Sequence, residues 1–339
     1  MKPLEKFFTE DPKWHEKIGA IHALLERVKI SEEQSGDVLH LRKLNRILSV
    51  HASTAIEGNQ LTLGQMTDVI NGKPVWGPPK DIKEVQNAWR AYNEIPGYTP
   101  WSVDDLLRAH AHLLDTLIGE SGQFRSGGVA VVGSDGTLLH RGALSSQVSD
   151  LVEQLLQWAQ TSEAHPLIKS SAVHYRLEYI HPFRYGNGRI GRLWQTLILA
   201  QWNPLFAWMP METLVHHNQA LYYKALQDSH AGAQVDCRPF IDFMLDAIAN
   251  SLYKYIDVAA QTVVDVPVNV LVNVPVNELS DKILTMVRAN PKVTAQKMAL
   301  ALGVTDKTIK RHLNALREQG RIQRVGSDKA GHWKVVDPT

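Results

Sequence analysis

The sequence has little cysteine: Cys237 stands alone among 339 residues. A single cysteine forms no intramolecular disulfide and builds no cysteine-based zinc site, so a reducing compartment is the simplest setting. No stretch approaches the ~20 consecutive apolar residues that a membrane-spanning helix needs. Residues 1–6 lack the apolar segment of a secretion signal. These absences favour a cytoplasmic protein without a membrane partner.

Net charge is also low, a formal +1, but it is unevenly distributed. Residues 281–339 carry twelve Lys and Arg against five Asp and Glu, a balance of +7, which leaves −6 for residues 1–280. A basic C-terminal segment on a mildly acidic body indicates an anionic partner, nucleic acid first. A solvated basic surface is the alternative.

The 44% of hydrophobic residues is ordinary for a globular chain and argues against disorder.

Helical periodicity dominates residues 1–255, where apolar side chains recur at spacings of three and four. It predicts helices over residues 14–28, 39–56, 103–117, 146–160, 168–180, 188–202 and 240–255. One β-hairpin is predicted over residues 129–141, because an Asp-Gly turn separates two apolar runs. The expected fold class is therefore mainly α, with a β-hairpin and a small C-terminal domain.

The C-terminal part of the chain differs in pattern. Residues 263–278 repeat Val-Pro-Val-Asn, and prolines at this spacing favour extended chain. We interpret this segment as a linker, with an edge strand or a dimer contact as alternatives. Three helices then follow over 279–289, 295–302 and 306–319, with short strands at 320–322 and 332–336. This order is typical of a winged helix-turn-helix domain.

The third of these helices carries the candidate DNA-contacting residues. Side chains on its exposed face would meet base edges and phosphates of a major groove. They are Thr308, Lys310, Arg311 and Asn314. A helical module that binds protein or dimerises is the alternative.

Residues 181–192, HPFRYGNGRIGR, indicate a phosphate site. Residues 186–188 form a Gly-Asn-Gly turn before a helix, where backbone N–H groups and the helix dipole favour an anion. Arg189 and Arg192 are three residues apart and share a helix face, so two guanidinium groups flank the turn. His181, on the other side of the turn, is a candidate base for deprotonating a hydroxyl. This combination suits phosphoryl or nucleotidyl transfer. A Gly-rich interhelix turn with surface arginines is the alternative.

The same string resembles the Fic motif, His-x-Phe-x-(Asp/Glu)-Gly-Asn-Gly-Arg-x-x-Arg. The matching positions are His181, Phe183, Gly186, Asn187, Gly188, Arg189 and Arg192. A Gly-x-Phe-Arg segment at residues 122–125 and a His-Pro-Leu segment at 165–167 extend the resemblance over roughly residues 1–255.

The resemblance implies a helical protein that transfers AMP from ATP to a Ser, Thr or Tyr hydroxyl of a target protein. His181 would be the general base. Asn187 and the backbone N–H groups beside it, at Gly186 and Gly188, would hold the α-phosphate, and Arg189 and Arg192 the outer phosphates. The hairpin would dock the target segment by strand addition. Its candidate docking residues are Val129, Val131, Leu138 and Leu139.

Residues 53–59, STAIEGN, resemble the inhibitory motif (Ser/Thr)-x-x-x-Glu-(Gly/Asn) of Fic proteins. Ser53 and Glu57 are four residues apart on one helix face, and Gly58 suits a helix C-cap. By the resemblance, Glu57 would pair with Arg192 and occupy the guanidinium that the γ-phosphate needs.

The motif departs from its pattern at Tyr185, where relatives have Asp or Glu that helps to hold Mg²⁺. A phenol is a poor Mg²⁺ ligand at neutral pH. Either metal still binds through ATP and water, or another carboxylate substitutes, or nucleotide binds without turnover. We expect ATP as substrate together with Mg²⁺, and the protein ligands of the metal stay unassigned.

The sequence thus predicts four segments: an N-terminal helical region with the inhibitory motif (1–100), a Fic core (101–257), a linker (258–278) and a winged helix-turn-helix domain (279–339). The predicted function is an autoinhibited protein adenylyltransferase. The alternative is a nucleotide-sensing module of low activity that regulates the winged domain. Expected partners are ATP, an unidentified target protein, DNA through residues 279–339, and a second copy in a homo-oligomer.

Overall fold

The computed structural model describes most of residues 10–262 and part of the C-terminal segment. The described residues are 10–34, 38–132, 138–230, 236–262, 283–284, 286–288, 291, 293–295, 297–298, 309–310, 313–314, 316–317, 321–325 and 332–336. The chain divides into an N-terminal unit, Met1–Val264, and a C-terminal unit, Asp265–Thr339. Of the linker predicted over residues 258–278, residues 258–262 are helical, and residues 263–278 lie outside the described residues. Within the described ranges, no helix has both the length and the apolar character needed to cross a membrane.

Four helices form the first part of the N-terminal unit. They are α1 (Lys13–Gln34), α2 (Val38–Ile56), α3 (Leu63–Ile70) and α4 (Pro79–Asn93). α3 begins with a capping box, in which the side chains of Thr62 and Gln65 each bond the backbone N–H of the other. α4 begins at a proline, which a first helical position tolerates because its N–H has no partner in the helix.

Seven helices follow in the same unit. They are α5 (Val103–Leu114), α6 (Val148–Thr161), α7 (Pro166–Ile180), α8 (Asn187–Trp202), α9 (Met211–His217), α10 (Gln219–His230) and α11 (Arg238–Thr262). All seven helices predicted for residues 14–255 are present. The largest differences are longer C-terminal ends of α1 and α11 and an earlier end of α5, and the mainly α fold class is confirmed.

α7 and α8 lie at the centre of the N-terminal unit. All ten residues of 190–199 in α8 are buried, and α7 buries residues around its whole circumference. Both helices contribute to the two apolar cores of the unit, one shared with α4, α5 and α6 and the other with α1, α9, α10 and α11. Burying one large apolar side chain stabilises the fold by about 1.5–3 kcal/mol. The many buried side chains of α7 and α8 therefore hold both ends of the loop between these helices in place.

The predicted hairpin is present as two antiparallel strands, β1 (Ala130–Val132) and β2 (Leu138–Arg141). The register pairs Ala130 with Arg141 and Val131 with His140, and it shifts between Val131 and Val132. The predicted Asp-Gly turn falls at residues 135–136, outside the described residues.

The C-terminal unit has helical residues before two paired strands. The helical positions described there are 283–284, 286–288, 295, 297–298, 309–310, 313–314 and 316–317. Strands β3 (Ile322–Val325) and β4 (His332–Val335) are antiparallel. β3 begins at Ile322, two residues later than the predicted strand. The N–H of Arg321, just before it, bonds the carbonyl of Leu316 at 2.9 Å. The core of this unit consists of Ile283, Leu284, Val287, Val293, Met298, Ile309, Leu313, Leu316 and Ile322.

Candidate active site

His181 is the C-cap of α7 and follows its last helical residue, Ile180. Its backbone is left-handed, with φ 53° and ψ 61°, and its N–H bonds the carbonyl of Leu177 at 2.9 Å. A left-handed non-glycine residue is uncommon and turns the chain sharply. The turn takes the chain directly from α7 into the loop that starts α8.

The His181 ring is oriented by its own helix. Nδ1 lies 3.3 Å from the carbonyl oxygen of Glu178, and since a carbonyl only accepts, Nδ1 carries the proton. Nε2 is then the basic nitrogen. Burial lowers the pKa of His181 to about 4, so the ring is neutral at pH 7 and able to accept a proton.

Arg125, in the segment before the hairpin, holds the start of this loop. Its Nε donates to the carbonyl of His181 at 2.7 Å, its Nη1 to that of Gly127 at 2.7 Å, and its Nη2 to that of Ile180 at 3.3 Å. Nη2 also donates to the carbonyl of Ala143. Arg125 thus ties both ends of the hairpin to the residue that carries the candidate base.

His110, on α5, holds the end of the loop. Its Nε2 donates to the carbonyl of Tyr185 at 3.0 Å, and its Nδ1 accepts from the N–H of Gly122 at 2.9 Å. The ring stacks on Phe183 with centroids 3.7 Å apart. Burial lowers the pKa of His110 to about 4, which keeps the ring neutral. Sequence reasoning did not identify His110 as part of the site.

Asn187 shapes the loop from within. Its Oδ1 accepts from the N–H of Phe183 at 2.9 Å, and its Nδ2 donates to the carbonyl of Phe183 at 2.8 Å. Both ends of the side-chain amide therefore bond the loop backbone, and the residue is 3% exposed. Its direct contact with an α-phosphate stays a prediction, whereas its contact with the loop backbone is observed.

The N-terminus of α8 faces the same loop. Gly186 precedes it with φ 79°, and a Cβ there would lie 2.9 Å from Leu114 Cδ1. The N–H of Ile190 bonds the carbonyl of Gly186, so the N–H groups of Asn187, Gly188 and Arg189 come before the first helical bond. Such groups, together with the helix dipole, attract an anion.

Arg192 is buried and forms hydrogen bonds with both predicted inhibitory residues. Its Nη2 donates to Glu57 Oε1 at 2.8 Å and to the carbonyl of Ser53 at 3.0 Å, while Nε donates to Ser53 Oγ at 3.2 Å. The side chains of Arg192 and Glu57 are 3% and 27% exposed. Burial acts to raise the pKa of Glu57, but the charges of Arg192 and Arg189 outweigh it and hold the pKa below its ordinary value.

Glu57 follows directly after α2. The N–H of Gly58 bonds the carbonyl of Ala55 at 3.0 Å, and the N–H of Asn59 bonds that of Thr54 at 3.1 Å. With Gly58 at φ 93°, this is the Schellman ending that the sequence predicts. Glu57 is thus presented from a helix end rather than from inside the helix.

Arg189 has a carboxylate partner that sequence reasoning missed. Its Nη1 donates to Oε1 of Glu84 on α4, and the two side chains are 12% and 7% exposed. Both arginines of the candidate phosphate site therefore contact a carboxylate. Since Glu84 lies 105 residues before Arg189, no local pattern could have indicated this pair.

A buried polar cluster lies beneath the site. Nδ1 of His174 donates to Gln195 Oε1 at 2.7 Å, and its Nε2 accepts from the hydroxyl of Tyr222 at 3.1 Å. Burial lowers the pKa of His174 to about 3 and raises that of Glu178 to about 7. The cluster links α7, α8 and α10 beneath Arg192.

The remaining predicted residues lie at the edge of the site or outside the described part. Tyr185 is 55% exposed. In the hairpin, Val129 and Val131 are half-buried and Leu138 is exposed, while Leu139 lies in β2. In the C-terminal unit, Lys310 and Asn314 are exposed at helical positions. Thr308 and Arg311 lie outside the described residues.

A Mg²⁺ site would need oxygen donors from protein side chains or from phosphates. Over the described ranges, no group of three His, Cys, Asp or Glu is arranged to hold a metal ion. Tyr185 offers a phenol where a carboxylate is expected, and Mg²⁺ prefers carboxylate and phosphate oxygens. At the position where the Fic motif places a carboxylate ligand, the side chain of Tyr185 therefore does not suit Mg²⁺.

Two regions of the chain match known protein families. The model of the Fic/DOC family matches residues 100–199, and that of an HTH domain matches residues 280–329. A Fic family protein of Desulfovibrio desulfuricans G20, with a crystal structure, is 32% identical with a TM-score of 0.72, over 100% of this chain and 99% of that one. The fold is therefore that of a Fic protein followed by a helix-turn-helix domain. The chain belongs to the Fic family.

Two curated relatives are named for an activity. The protein adenylyltransferase fic-1 of Caenorhabditis elegans is 29% identical over 236 residues, 64% of this chain and 43% of that protein. The protein adenylyltransferase Fic of Culex quinquefasciatus is 26% identical over 271 residues, 74% of this chain and 48% of that protein. The chain spans less than half the length of these relatives.

Proposed function

We propose that this protein transfers AMP from ATP to a hydroxyl group of a target protein and is restrained by Glu57. The observation that carries the proposal is the arrangement around one loop. A neutral imidazole precedes the loop, the N-terminus of a helix follows it, and two arginines lie in the first two turns of that helix. The adenylyltransferase names of the relatives support the reaction type.

His181 would act through Nε2, because Nδ1 is engaged with Glu178. Nε2 takes the proton of the target hydroxyl, whose oxygen attacks the α-phosphorus of ATP. The bond from the α-phosphorus to the oxygen bridging the α- and β-phosphates breaks, and pyrophosphate leaves with that electron pair. The proton on Nε2 then passes to solvent, and the target keeps AMP as a phosphoester.

The phosphates would lie against the start of α8. The N–H groups of residues 187–189 supply fixed donors for the negative charge that develops in the transition state. Arg189 and Arg192 bind the outer phosphates, which guanidinium groups recognise by paired hydrogen bonds. Mg²⁺ would neutralise charge on the phosphates when it accompanies ATP, although Tyr185 offers it no carboxylate.

Glu57 restrains this reaction by competing for Arg192. Its Oε1 holds Nη2, and an ideal Cβ at Gly188 would lie only 2.6 Å from the same oxygen. The carboxylate therefore stands directly beside the first turn of α8, where a phosphate would bind. ATP has to displace Glu57 or bind with its outer phosphates misplaced.

The hairpin would receive the target segment. Its two strands form an isolated sheet, in which each outer edge has backbone groups that can pair with an extended peptide. Arg125 connects both ends of the hairpin to His181, so a segment paired along it would be close to the base.

Nucleotide incorporation tests the proposal. The Glu57→Gly variant is incubated with ATP labelled at the α-phosphate, and separately with ATP labelled at the γ-phosphate, and the labelled protein is quantified. We expect incorporation of the α-label alone, and its loss in the Glu57→Gly/His181→Ala variant. Incorporation of the γ-label would indicate phosphoryl transfer. No incorporation, with ATP binding intact, would favour nucleotide sensing.

A second activity is proposed for the C-terminal unit, namely DNA binding through its helix-turn-helix domain. The balance of +7 over residues 281–339 and the match to an HTH domain support it. Duplex binding by the full chain should weaken steeply with salt, because bound phosphates release counterions. The Lys310→Ala variant should reduce the slope of log affinity against log salt by about 1. Binding that does not respond to salt would contradict this proposal.

A further inference from the structure

Glu84 occupies a fixed position between the inhibitory turn and Arg189. Its Oε1 accepts from Nη1 of Arg189, and its Oε2 accepts from Nδ2 of Asn59 at 2.8 Å. The residue is 5% exposed on α4. Each oxygen of the carboxylate therefore has its own donor, and rotation of the side chain would break one of the bonds.

Asn59, the second partner, is itself held. Its Nδ2 also donates to the carbonyl of Asp81 at 3.0 Å, and its Oδ1 accepts from the N–H of Leu61 at 3.1 Å. The carboxylate of Glu84 is thus fixed from two sides, by the backbone of α4 and by the segment after α2. A carboxylate oxygen that is held in place restrains the guanidinium nitrogen that donates to it.

The two carboxylates at the phosphate arginines differ in how they are held. Glu57 is 27% exposed and makes one bond to Arg192 from a turn at a helix end. Glu84 is 7% exposed by its side chain and makes bonds through both oxygens. Glu57 is suited to leave when nucleotide enters. Displacement of Glu84 would leave the polar groups of Arg189 and Asn59 buried and unpaired, which is costly.

We infer that Glu84 is a positioning residue, which holds the Arg189 guanidinium in the orientation that bound ATP phosphates require. The inference rests on the proposed function. Glu84 also joins Arg189 to Asn59, which lies two residues after Glu57, so the inhibitory turn and Arg189 share one support. Glu84 acts through Arg189 and does not touch the substrate.

The test uses the full chain with Glu57→Gly as the parent and measures kcat and KM for ATP by incorporation of the α-label. Glu84→Gln keeps the size of the side chain and removes its charge. We expect it to raise KM about tenfold, a loss of roughly 1.4 kcal/mol, and to change kcat less. Glu94→Gln, an exposed residue at the end of the same helix, is the matched control and should leave both constants unchanged.

A double-mutant cycle separates positioning from general destabilisation. Once Arg189→Gln is present, adding Glu84→Gln should have no further effect on KM, because the group that Glu84 positions is gone. Asn59→Ala, which frees Oε2 but leaves the Arg189 bond, should raise KM by a smaller factor. If Glu84→Gln does not fold, the KM of Asn59→Ala still tests the inference.

Four results would overturn the inference. Equal effects of Glu84→Gln with and without Arg189 would show a structural role alone. Increased incorporation when Glu84→Gln is made with Glu57 intact would make Glu84 a second blocking carboxylate. An inactive Glu57→Gly parent would refute the proposed function first and this inference with it, whereas an active parent with normal KM in Glu84→Gln would refute this inference alone.

Discussion

Glu57 and Arg192, which are 135 residues apart in sequence, are joined by a 2.8 Å hydrogen bond between Oε1 and Nη2. The folded state lowers the pKa of Glu57 below its ordinary 4.5. A carboxylate with a lowered pKa contributes stability above its unfolded pKa and loses it as the pH falls through the folded value. The contact is therefore fully present at neutral pH, and removal by mutation or displacement by nucleotide breaks it, whereas ordinary acidification does not.

The protonation state of His181 can be measured directly. Burial places its pKa at about 4, against an ordinary 6.5, so the ring should stay neutral as the pH falls from 8 to about 5. Nitrogen chemical shifts should also report a proton on Nδ1. The measurement is an NMR titration, in which the resonance is assigned by its absence in His181→Ala. A midpoint near 6.5 would contradict the buried, pre-oriented base.

His174 should make the protein sensitive to acid. Its pKa is about 3 in the folded chain, so below pH 6.5 the unfolded chain binds a proton that the folded chain does not. Stability should therefore fall by about 1.4 kcal/mol per pH unit from this one residue. In His174→Gln the free energy of unfolding, measured by urea denaturation, should vary less steeply between pH 6 and 4. Parallel curves for the two proteins would argue against this role.

Gly186 should not tolerate a side chain. At φ 79°, with a new Cβ 2.9 Å from Leu114 Cδ1, Gly186→Ala combines backbone strain with a clash in the core. We expect it to lower the free energy of unfolding by about 1–3 kcal/mol. Gly19→Ala, at an exposed position inside α1 with no atom within 4 Å of the new Cβ, is the control. It should stabilise by about 0.5–1 kcal/mol, and equal losses in both variants would refute the strain argument.

Tyr185→Asp should raise activity in the Glu57→Gly background. The carboxylate supplies the oxygen ligand that Mg²⁺ prefers and that the phenol does not provide. An increase of about tenfold in the initial rate, equal to roughly 1.4 kcal/mol, is expected at saturating Mg²⁺. Tyr185→Phe serves as the control and should leave the rate unchanged. If Tyr185→Asp instead abolished activity, the exposed phenol would have another role.

Much of the fold is predictable because apolar periodicity is a local signal. It located α7 and α8 and the loop between them, and the hairpin followed from one turn. α3, α4, α9 and α10 are not among the predicted helices, although the proline at the first position of α4 is compatible with a helix. The capping box of Thr62 and Gln65, which begins α3, is a local signal for a helix start in the sequence.

The site was predictable where its residues are near in sequence or match a motif. The turn at residues 186–188 and the pairing of Glu57 with Arg192 belong to this class. The bond of Glu84 to Arg189 does not, because it joins elements whose proximity only the packed fold creates. The bonds of Asn187 to Phe183 span four residues, yet a motif that suggests phosphate contact does not reveal that the amide is used by the loop.

A crystal structure of the Glu57→Gly variant with ATP tests the central claim most directly. The account predicts the triphosphate against the N-terminus of α8, with its α-phosphorus open to a hydroxyl held by His181 Nε2 and its outer phosphates on Arg189 and Arg192. A nucleotide bound elsewhere, or protein atoms filling the space beside residues 186–192 once Glu57 is removed, would contradict it.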